Sequence, residues 1–528
     1  MKIPKKKELL RLQAKYRTDK KMGEALGGAP AHLVAYWRKK KKIPDCDLPK
    51  YSQKQIKVLW ETYGSDKPAA AQLEITPAAF YKWRQKYGIK ERPRQLRLSH
   101  LQLNLFPESV PLPAGLGQTL IEKLAGRKLV RKGVVSGEIY ELEPDLIILS
   151  SDWDKLLEDS EALGLKRVKR PDRVWAKLPG WGPVSNGSFK LLQPAKEFLH
   201  KNQVKNVISA REGYPLQVLW EKSIIAPLGL ALGTDKTTIG AGFLGCWGKR
   251  LESSEIIQVL ESGKVKLEVP STVKITLQGK LNPAIFASDI YSYLAHQIDT
   301  LLLPGRLLEF SGEVVSSLSL PQRMALALMW SQTPVGGIIF SVDQTIRKYY
   351  LSRAKKSVPL LEGDEKAAYV EKLEFDLSHL EPQVSSGPPA SRIVSVRQQK
   401  KKPVSKIVLG AGLHGRLEEL EVAARILSKR KVHPEVQLVV VPCSRQVMLS
   451  ALRKGYLRTL LEAGAILCDP GLENWEGLFS MPGPVLTTCF LNSNHPEIFQ
   501  PQDLLFVNPA TAAASALKGE ITDPRDYL

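Results

Sequence analysis

Basic and aromatic residues recur at a regular interval near the N-terminus, in a pattern whose chemistry is phosphate binding. The step Trp37-Arg38 returns 46 residues later as Trp83-Arg84, and Asp19-Lys20 returns 47 residues later as Asp66-Lys67. Residues 1–97 hold 25 basic and 9 acidic residues, so they carry +16 of the chain's net charge of +22. A basic, repeated segment on a nearly neutral remainder is typical of proteins that bind nucleic acids.

The interval indicates a duplicated unit, and each copy is expected to fold as three short helices. In the second copy, Ile56, Leu59 and Trp60 fall on one face of a helix. Thr76 is placed to cap the third helix, and Pro77 follows at the first helical position, where proline is tolerated.

Each copy resembles the helix-turn-helix units of transposases and of Fis-type proteins, in which a cap residue, a small-residue turn and an inward tryptophan recur. The resemblance implies that the exposed start of the third helix enters the major groove of DNA. The residues assigned to base edges are Thr76, Ala79, Tyr81 and Lys82. The residues assigned to phosphates are Arg38, Lys39, Lys40, Lys41, Arg84 and Lys86. The alternative is that the basic residues form only a solvated face.

From Gly115 onward, strand patterns alternate with amphipathic helix patterns. Asp145–Ser150 and Val436–Pro442 are mostly apolar runs of strand length, and Leu417–Lys429 has helical periodicity. This alternation predicts an α/β fold of parallel sheets covered by crossover helices. The predicted organisation is two helical units (1–48 and 49–94), a linker (95–114) and three α/β/α domains (115–262, 263–375 and 376–528).

Several segments of this body resemble the aconitase family, and most closely the large subunits of 3-isopropylmalate dehydratase. The resembling segments are Gly117–Ala125, Gly137–Leu146, Gly233–Gly242, Leu308–Glu313, Asp376–Val384 and Pro509–Ala516. They follow one another in the family's order. The resemblance implies three α/β/α domains around a cleft, and a hydro-lyase that removes and returns water.

Members of this family hold a [4Fe–4S] cluster by three cysteines and leave one iron open to bind a hydroxy-acid. Matching the segments places Gly412, Leu472 and Trp475 at the three cysteine positions. None of these residues can bind iron, so we expect no cluster and no resident metal. Cys468 lies nearby but supplies one thiolate where three are needed. His414, beside the first position, is interpreted as a surface or capping residue.

The residues that the family uses for acid–base chemistry and for substrate binding are also replaced. The residues found at those positions are Pro179, Gly180, Leu216, Leu328, Gln332, Leu491 and Pro496. The remaining catalytic candidates are Asp235, Lys236 and Glu309. A single carboxylate needs a proton partner or a metal to work with, so these three residues do not by themselves predict catalysis.

The leading hypothesis is therefore a DNA-binding pseudoenzyme, with transcription regulation as its simplest role. Its body would bind a small hydroxy-acid or mediate assembly. The alternatives are a divergent hydro-lyase that uses the three remaining candidates, and a protein that binds RNA.

The expected partners are duplex DNA, a second copy of the chain and a separate chain that carries the swivelling domain of the family. No apolar run reaches the ~18 residues of a membrane span, and the basic start lacks the apolar segment of a signal peptide, so we expect a cytoplasmic protein. The five cysteines show no metal-ligand spacing.

Overall fold

The computed structural model divides the chain into two units, residues 1–108 and residues 109–528. The residues that it describes are 3–16, 19–43, 52–53, 56–57, 59–60, 66–71, 73, 75–89, 117–131, 133–179, 188–386, 392–399, 401–412, 414–470, 484–489 and 504–528. Each unit has hydrophobic clusters of its own.

Short helices make up the described part of the N-terminal unit, as expected. They are Lys6–Tyr16, Asp19–Ala25, Ala31–Lys40, Asp66–Ala71 and Pro77–Lys86. Buried residues fall at equivalent positions of the two copies: Leu9 corresponds to Ile56 at an interval of 47, and Val34 to Phe80 at an interval of 46. The repeated sequence is therefore matched by a repeated core.

Parallel strands follow in the larger unit. After β1 (Ile139–Leu142) comes a five-stranded sheet made of β2 (Leu146–Leu149), β3 (Val174–Lys177), β4 (Asn206–Ile208), β5 (Leu230–Gly233) and β6 (Trp247–Arg250). Its order is β4-β3-β2-β5-β6, and every pair is parallel. Strands β2 and β5 are buried at every residue, because helices cover both faces of the sheet.

A second parallel sheet lies in the middle of the chain. Strand β7 (Val265–Glu268) precedes this sheet and pairs antiparallel with β1. This pairing crosses the domain boundary that the sequence predicted at residue 262. The sheet itself consists of β8 (Thr272–Gln278), β9 (Leu307–Ser311), β10 (Gly337–Phe340) and β11 (Glu371–Asp376). All four strands are parallel, in the order β10-β9-β8-β11.

The third sheet has seven strands and occupies the C-terminal part of the chain. They are β12 (Gln383–Ser386), β13 (Arg392–Ser395), β14 (Lys406–Gly410), β15 (Gln437–Val441), β16 (Ile466–Leu467), β17 (Val485–Thr487) and β18 (Leu504–Val507). The order is β13-β12-β18-β17-β14-β15-β16. The five strands from β18 to β16 are parallel, whereas β12 and β13 pair antiparallel at one side.

Helices connect the strands of all three sheets. The described ones are Leu120–Leu129, Trp153–Ala162, Ser188–Lys201, Pro215–Glu221, Ser253–Ser262, Ala287–Gln297, Glu313–Ser317, Leu320–Trp330, Gln344–Ala354, Leu417–Leu427, Arg445–Arg453, Tyr456–Ala463 and Pro509–Lys518. A 3-10 helix, Lys236–Leu244, lies against β10. It approaches so closely that a Cβ on Gly242 would stand 1.7 Å from the Ile338 carbonyl oxygen. Only glycine fits at that position.

The predicted fold class, a mixed α/β body with parallel sheets after a helical start, is confirmed. The strands expected at Asp145–Ser150 and Val436–Pro442 are β2 and β15, and the helix expected at Leu417–Lys429 spans Leu417–Leu427. The predicted domain boundaries stay a prediction, although each of the three α/β ranges contains one of the three sheets. No helix in the described ranges has both the length and the apolar character needed to cross a membrane.

Candidate functional site

The third helix of each copy presents the residues assigned to DNA. In the second copy, Thr76 caps the helix Pro77–Lys86, since its Oγ1 accepts a hydrogen bond from the amide of Ala79 at 3.2 Å. Tyr81, Lys82 and Lys86 are exposed, and Ala79 is half-buried. In the first copy Lys39, Lys40 and Lys41 are exposed at the end of helix Ala31–Lys40.

Two of the residues assigned to phosphates are not on that surface. Arg38 is 3% exposed and Arg84 is fully buried, so the assignment of these two side chains to DNA phosphates was wrong. Arg38 donates to both oxygens of Asp19, with Nε at 2.6 Å and Nη2 at 2.7 Å. Arg84 donates in the same way to Asp66, at 3.0 and 3.3 Å. A two-point geometry of this kind holds helices together.

The sequence did contain a signal for these ion pairs. Asp19 and Asp66 are equivalent positions of the duplicated unit, and so are Arg38 and Arg84. A pair of opposite charges that recurs in both copies indicates a contact within each copy. Reading the arginines as part of a basic face overlooked their repeated acidic partners.

The three remaining catalytic candidates lie on two elements, the start of the 3-10 helix and strand β9. Asp235 caps the 3-10 helix, because its Oδ1 accepts a hydrogen bond from the amide of Thr237 at 2.6 Å, and Lys236 beside it is exposed. Glu309 lies in the middle of β9 and is 1% exposed. Within the described ranges, no hydrogen bond or ion pair joins any two of the three residues.

Glu309 stabilises the fold locally. Its Oε2 accepts a hydrogen bond from the amide of Leu120 at 2.9 Å, at the start of helix Leu120–Leu129, and its Oε1 accepts one from the hydroxyl of Tyr369 at 2.9 Å. Burial raises the pKa of Glu309, although both hydrogen bonds act in the opposite direction. A buried acceptor at a helix start satisfies an amide that would otherwise lack a partner.

The segment after β14 contains Gly412, the position at which the sequence resemblance predicts the family's first cysteine. Gly412 lies there in a turn with φ of 54°, between Ala411 and a buried His414. His414 is 4% exposed, so the interpretation of this residue as a surface residue was wrong. Its Nδ1 faces the Oε1 of Glu419 at 3.8 Å. Burial lowers the pKa of His414, while Glu419 opposes that shift.

Glu419 accepts hydrogen bonds around this turn. Its Oε2 receives the amide of Gly415 at 2.6 Å, and its Oε1 receives Nη1 of Arg416 at 3.1 Å. Burial alone would raise the pKa of Glu419, but His414, Arg416 and the Gly415 amide outweigh it and lower the pKa to about 2. The carboxylate is therefore ionised and engaged.

The cysteines near this turn do not fit an iron–sulfur cluster. Cys468 follows β16 and Cys489 follows β17, and β14 and β15 lie between these two strands. Three strand spacings separate them by about 14 Å. Cys443 packs in a different hydrophobic cluster from those two residues. In the described part of the chain no three His, Cys, Asp or Glu side chains come close enough to hold a metal.

The positions Leu472 and Trp475 lie outside the described residues, so their surroundings are not characterised. The residue types alone still matter, because neither an aliphatic nor an indole side chain ligates iron as a thiolate does. The prediction that this chain binds no cluster stays a prediction.

An open cavity of about 400 Å³ lies at the carboxyl ends of β3 and β4. Pro179, one of the replaced family positions, lines it, and so do the basic residues Lys196 and Arg211. The carboxyl ends of parallel strands are the usual place for ligands in α/β folds. Sequence reasoning missed Lys196 and Arg211, since neither belongs to a recognisable motif.

Comparison with protein families matches residues 189–519 to the aconitase family (aconitate hydratase). The 3-isopropylmalate dehydratase large subunit of Hydrogenobaculum sp. is 30% identical over 419 residues, which cover 78% of this chain and 98% of that protein. The same subunit of Moorella thermoacetica is 29% identical over 426 residues, covering 78% of this chain and 100% of that protein.

Among solved structures, the holo-form of Thermococcus kodakaraensis aconitase X matches with a TM-score of 0.41 and 12% identity. The match covers 74% of this chain and 92% of that one. The assignment to a family does not depend on it, since the family match spans more than half of the chain and the dehydratase subunits are matched over nearly their full length. This chain belongs to the aconitase family.

Proposed function

We propose that the protein is a DNA-binding regulator whose aconitase-family body binds a small hydroxy-acid without iron–sulfur chemistry. The observation that carries the DNA-binding part is the set of exposed lysines on the third helices of the duplicated unit, in a segment with a net charge of +16. The two copies act as tandem helix-turn-helix units. Each one places the start of its third helix in the major groove.

The contacts divide into two kinds. Thr76, Ala79, Tyr81 and Lys82 meet base edges, while Lys39, Lys40, Lys41 and Lys86 neutralise phosphates. The buried Arg38 and Arg84 hold the helices and do not touch DNA. Since most of the charged contacts go to phosphates, binding is strongly salt-dependent.

The hydroxy-acid binds in the 400 Å³ cavity at the carboxyl ends of β3 and β4. Lys196 and Arg211 supply positive charge for its carboxylates, at a site where the family's acid–base residues are absent. The body then reports the presence of the acid to the DNA-binding unit, with dimerisation raising avidity for DNA. A separate chain that carries a swivelling domain would cover this cavity, as the name "large subunit" of the relatives suggests.

A second candidate is a divergent hydro-lyase, and the relatives favour it over the first, because those compared above are named as dehydratase large subunits. Such an enzyme removes a hydroxyl from one carbon and a proton from its neighbour, which gives a double bond and water. Glu309 is too deeply engaged to serve, so Asp235 and Lys236 would have to carry the proton transfers.

The test measures both activities on one preparation of the full chain. Duplex DNA binding is followed across a salt series for the wild type and for a variant with Lys39→Ala, Lys40→Ala, Lys41→Ala, Lys82→Ala and Lys86→Ala. The matched control replaces exposed lysines of the body: Lys348→Ala, Lys355→Ala and Lys356→Ala. Water loss from isopropylmalate is assayed in parallel.

We expect the N-terminal lysine variant to bind more weakly and with a shallower salt slope, by about 0.9 for each phosphate that it no longer neutralises. The control should bind as the wild type does. Equal binding by both variants, or a preference for structured RNA over duplex DNA, would contradict the DNA-binding proposal. Turnover of isopropylmalate by the wild type would establish the second candidate.

A further inference from the structure

The starts of four helices of the body meet at one small cavity. The cavity has a volume of about 30 Å³. It is lined by first-turn or capping residues of helices Ala287–Gln297, Leu320–Trp330, Leu417–Leu427 and Pro509–Lys518. The amino end of a helix carries a partial positive charge and free amide donors. Four such ends around one space make it favourable for a negative charge.

Three buried polar atoms of the lining residues lack a partner. They are the Nε2 of His414, the Nε of Arg416 and the Oγ of Ser288, and none of them hydrogen-bonds to any described residue. His414 is 4% exposed, Arg416 2% and Ser288 7%. Leaving a buried polar atom unpaired costs about 1–3 kcal/mol, so three such atoms at one cavity, of which Ser288 Oγ and Arg416 Nε are donors, indicate a bound ligand.

The two glutamates at the cavity accept no hydrogen bond from the three unpaired atoms. Glu419 already accepts from the Gly415 amide and from Nη1 of Arg416, and Nδ1 of His414 faces it on the other side. Glu418 is exposed. The lining therefore has donors that are left over once its ionised acid is engaged.

We propose that this cavity binds a single carboxylate group of a small organic acid, which accepts hydrogen bonds from Ser288 Oγ and Arg416 Nε beside the ring of His414. The volume accepts the two oxygens of one carboxylate, since one water-sized group needs roughly 10–15 Å³ by the same kind of measure. A cation is excluded by the four helix starts, and a nucleotide by the volume.

The carboxylate site is separate from the 400 Å³ cavity, with which it shares no lining residue. It joins different parts of the chain: Ser288 lies between β8 and β9 of the four-stranded sheet, and His414 follows β14 of the seven-stranded sheet. A ligand there contacts both parts at once and stabilises their packing.

The probe is acetate, with its neutral isostere acetamide as the reference at constant ionic strength. Thermal unfolding of the full chain is measured at increasing concentrations of each, because a ligand that binds only the folded state raises the unfolding temperature. Two variants change the lining: Ser288→Ala removes one hydroxyl, and His414→Phe removes both ring nitrogens, of which Nδ1 faces Glu419. Ser341→Ala is the matched control, since its hydroxyl is also buried without a partner but lies outside the cavity.

We expect acetate, and not acetamide, to raise the unfolding temperature. Ser288→Ala should weaken the apparent affinity for acetate about fivefold, the effect of one hydrogen bond, and His414→Phe should weaken it further. Ser341→Ala should leave the affinity unchanged. The acetate titrations are repeated with Arg211→Ala, which lacks one positive charge of the larger cavity, so that the effect of Ser288→Ala in this background reports on the smaller cavity.

Equal effects of acetate and acetamide would overturn the proposal, since they would mean that water alone fills the cavity. Wild-type affinity in both Ser288→Ala and His414→Phe would also overturn it. Neither result depends on DNA binding or on the hydroxy-acid in the larger cavity, so failure here is distinguishable from failure of the proposed function.

Discussion

The N-terminal helices and the carboxylate site of the body use buried arginine in two different ways. Arg38 and Arg84 each donate two hydrogen bonds to one aspartate, and this arrangement occurs in both copies of the unit. Arg416 donates to Glu419 through Nη1 alone, and its Nε has no partner among the described residues. A matched pair holds a fold together, whereas a buried donor without a partner points to a ligand.

The largest loss of stability is expected when the ion pair between Arg84 and Asp66, which has two hydrogen bonds, is broken. Arg84→Ala removes the partner of Asp66 and also the donor to the Ile89 carbonyl, and breaking a buried ion pair of this kind costs about 3 kcal/mol. A helical unit of this size has little stability to spare, so we expect the second copy to unfold locally. Hydrogen exchange of residues 75–89 in the full chain would show this loss of protection.

The exposed Lys86 of the same helix provides the control for that change. Lys86→Ala should leave the exchange of residues 75–89 unchanged and weaken only the binding of DNA. Unaltered protection in Arg84→Ala would mean that the ion pair is not needed for the fold, and the contrast between the two regions would fail.

Glu419→Gln removes the negative charge that is paired with the buried Arg416. The amide cannot balance the charge of the buried Arg416, so we expect a loss of about 2–3 kcal/mol in denaturant unfolding. Because the pKa of Glu419 is lowered from 4.5 to about 2, its contribution is present above pH 4.5 and is lost as the pH falls toward 2. Glu158→Gln, at an exposed position of helix Trp153–Ala162, should change stability by less than about 0.5 kcal/mol.

Asp289 is a buried carboxyl whose hydrogen-bond donors among the described residues are all uncharged groups. It accepts the amides of Gln383 and Phe286 at 2.8 Å each, and the Asn508 side chain at 2.8 Å. Burial nevertheless raises its pKa to about 7. The folded state therefore binds the proton more tightly than the unfolded state, so the stabilisation is present below pH 3.8 and is lost as the pH rises to about 7.

Relative to Asp289→Asn, the wild type should lose stability by up to about 1.4 kcal/mol per pH unit between about pH 4 and pH 7. Unfolding by denaturant at about pH 5, 6 and 7 measures the difference. The exposed Asp154→Asn serves as the control and should follow the wild type. A constant difference between wild type and Asp289→Asn would show that the carboxyl titrates well below this range.

The smallest effect on stability is expected at the carboxylate site. Ser288→Ala removes a hydroxyl that has no partner among the described residues, so without a bound acid the variant should be as stable as the wild type or more stable by up to about 1 kcal/mol. Denaturant unfolding in a buffer free of carboxylic acids checks this. A loss of more than about 2 kcal/mol would mean that Ser288 stabilises the fold, as the ion pairs of the N-terminal helices do.

The sequence predicted those features that depend on local patterns. The interval of 46 and 47 residues identified the two helical copies, and the Thr76-Pro77 step marked the start of a helix correctly. The apolar runs located β2 and β15 because buried parallel strands are apolar along their whole length.

The sequence did not predict features that depend on distant residues. Glu309 looked like a catalytic carboxylate, but its partner Leu120 is 189 positions away along the chain. His414 looked exposed because polar residues in a turn usually are. No sequence motif indicates that Ser288 and His414 line the same cavity. The two residues are far apart along the chain and come together only when the fold brings the starts of their helices into contact.

The two edges of the seven-stranded sheet bear on how copies of the chain could associate. One edge strand, β16, has two residues, and the other, β13, has four and belongs to the antiparallel addition. Short edge strands offer few free backbone groups to a strand from another molecule, which protects a protein from edge-to-edge aggregation. A homodimer of this protein is therefore not expected to form by extending this sheet.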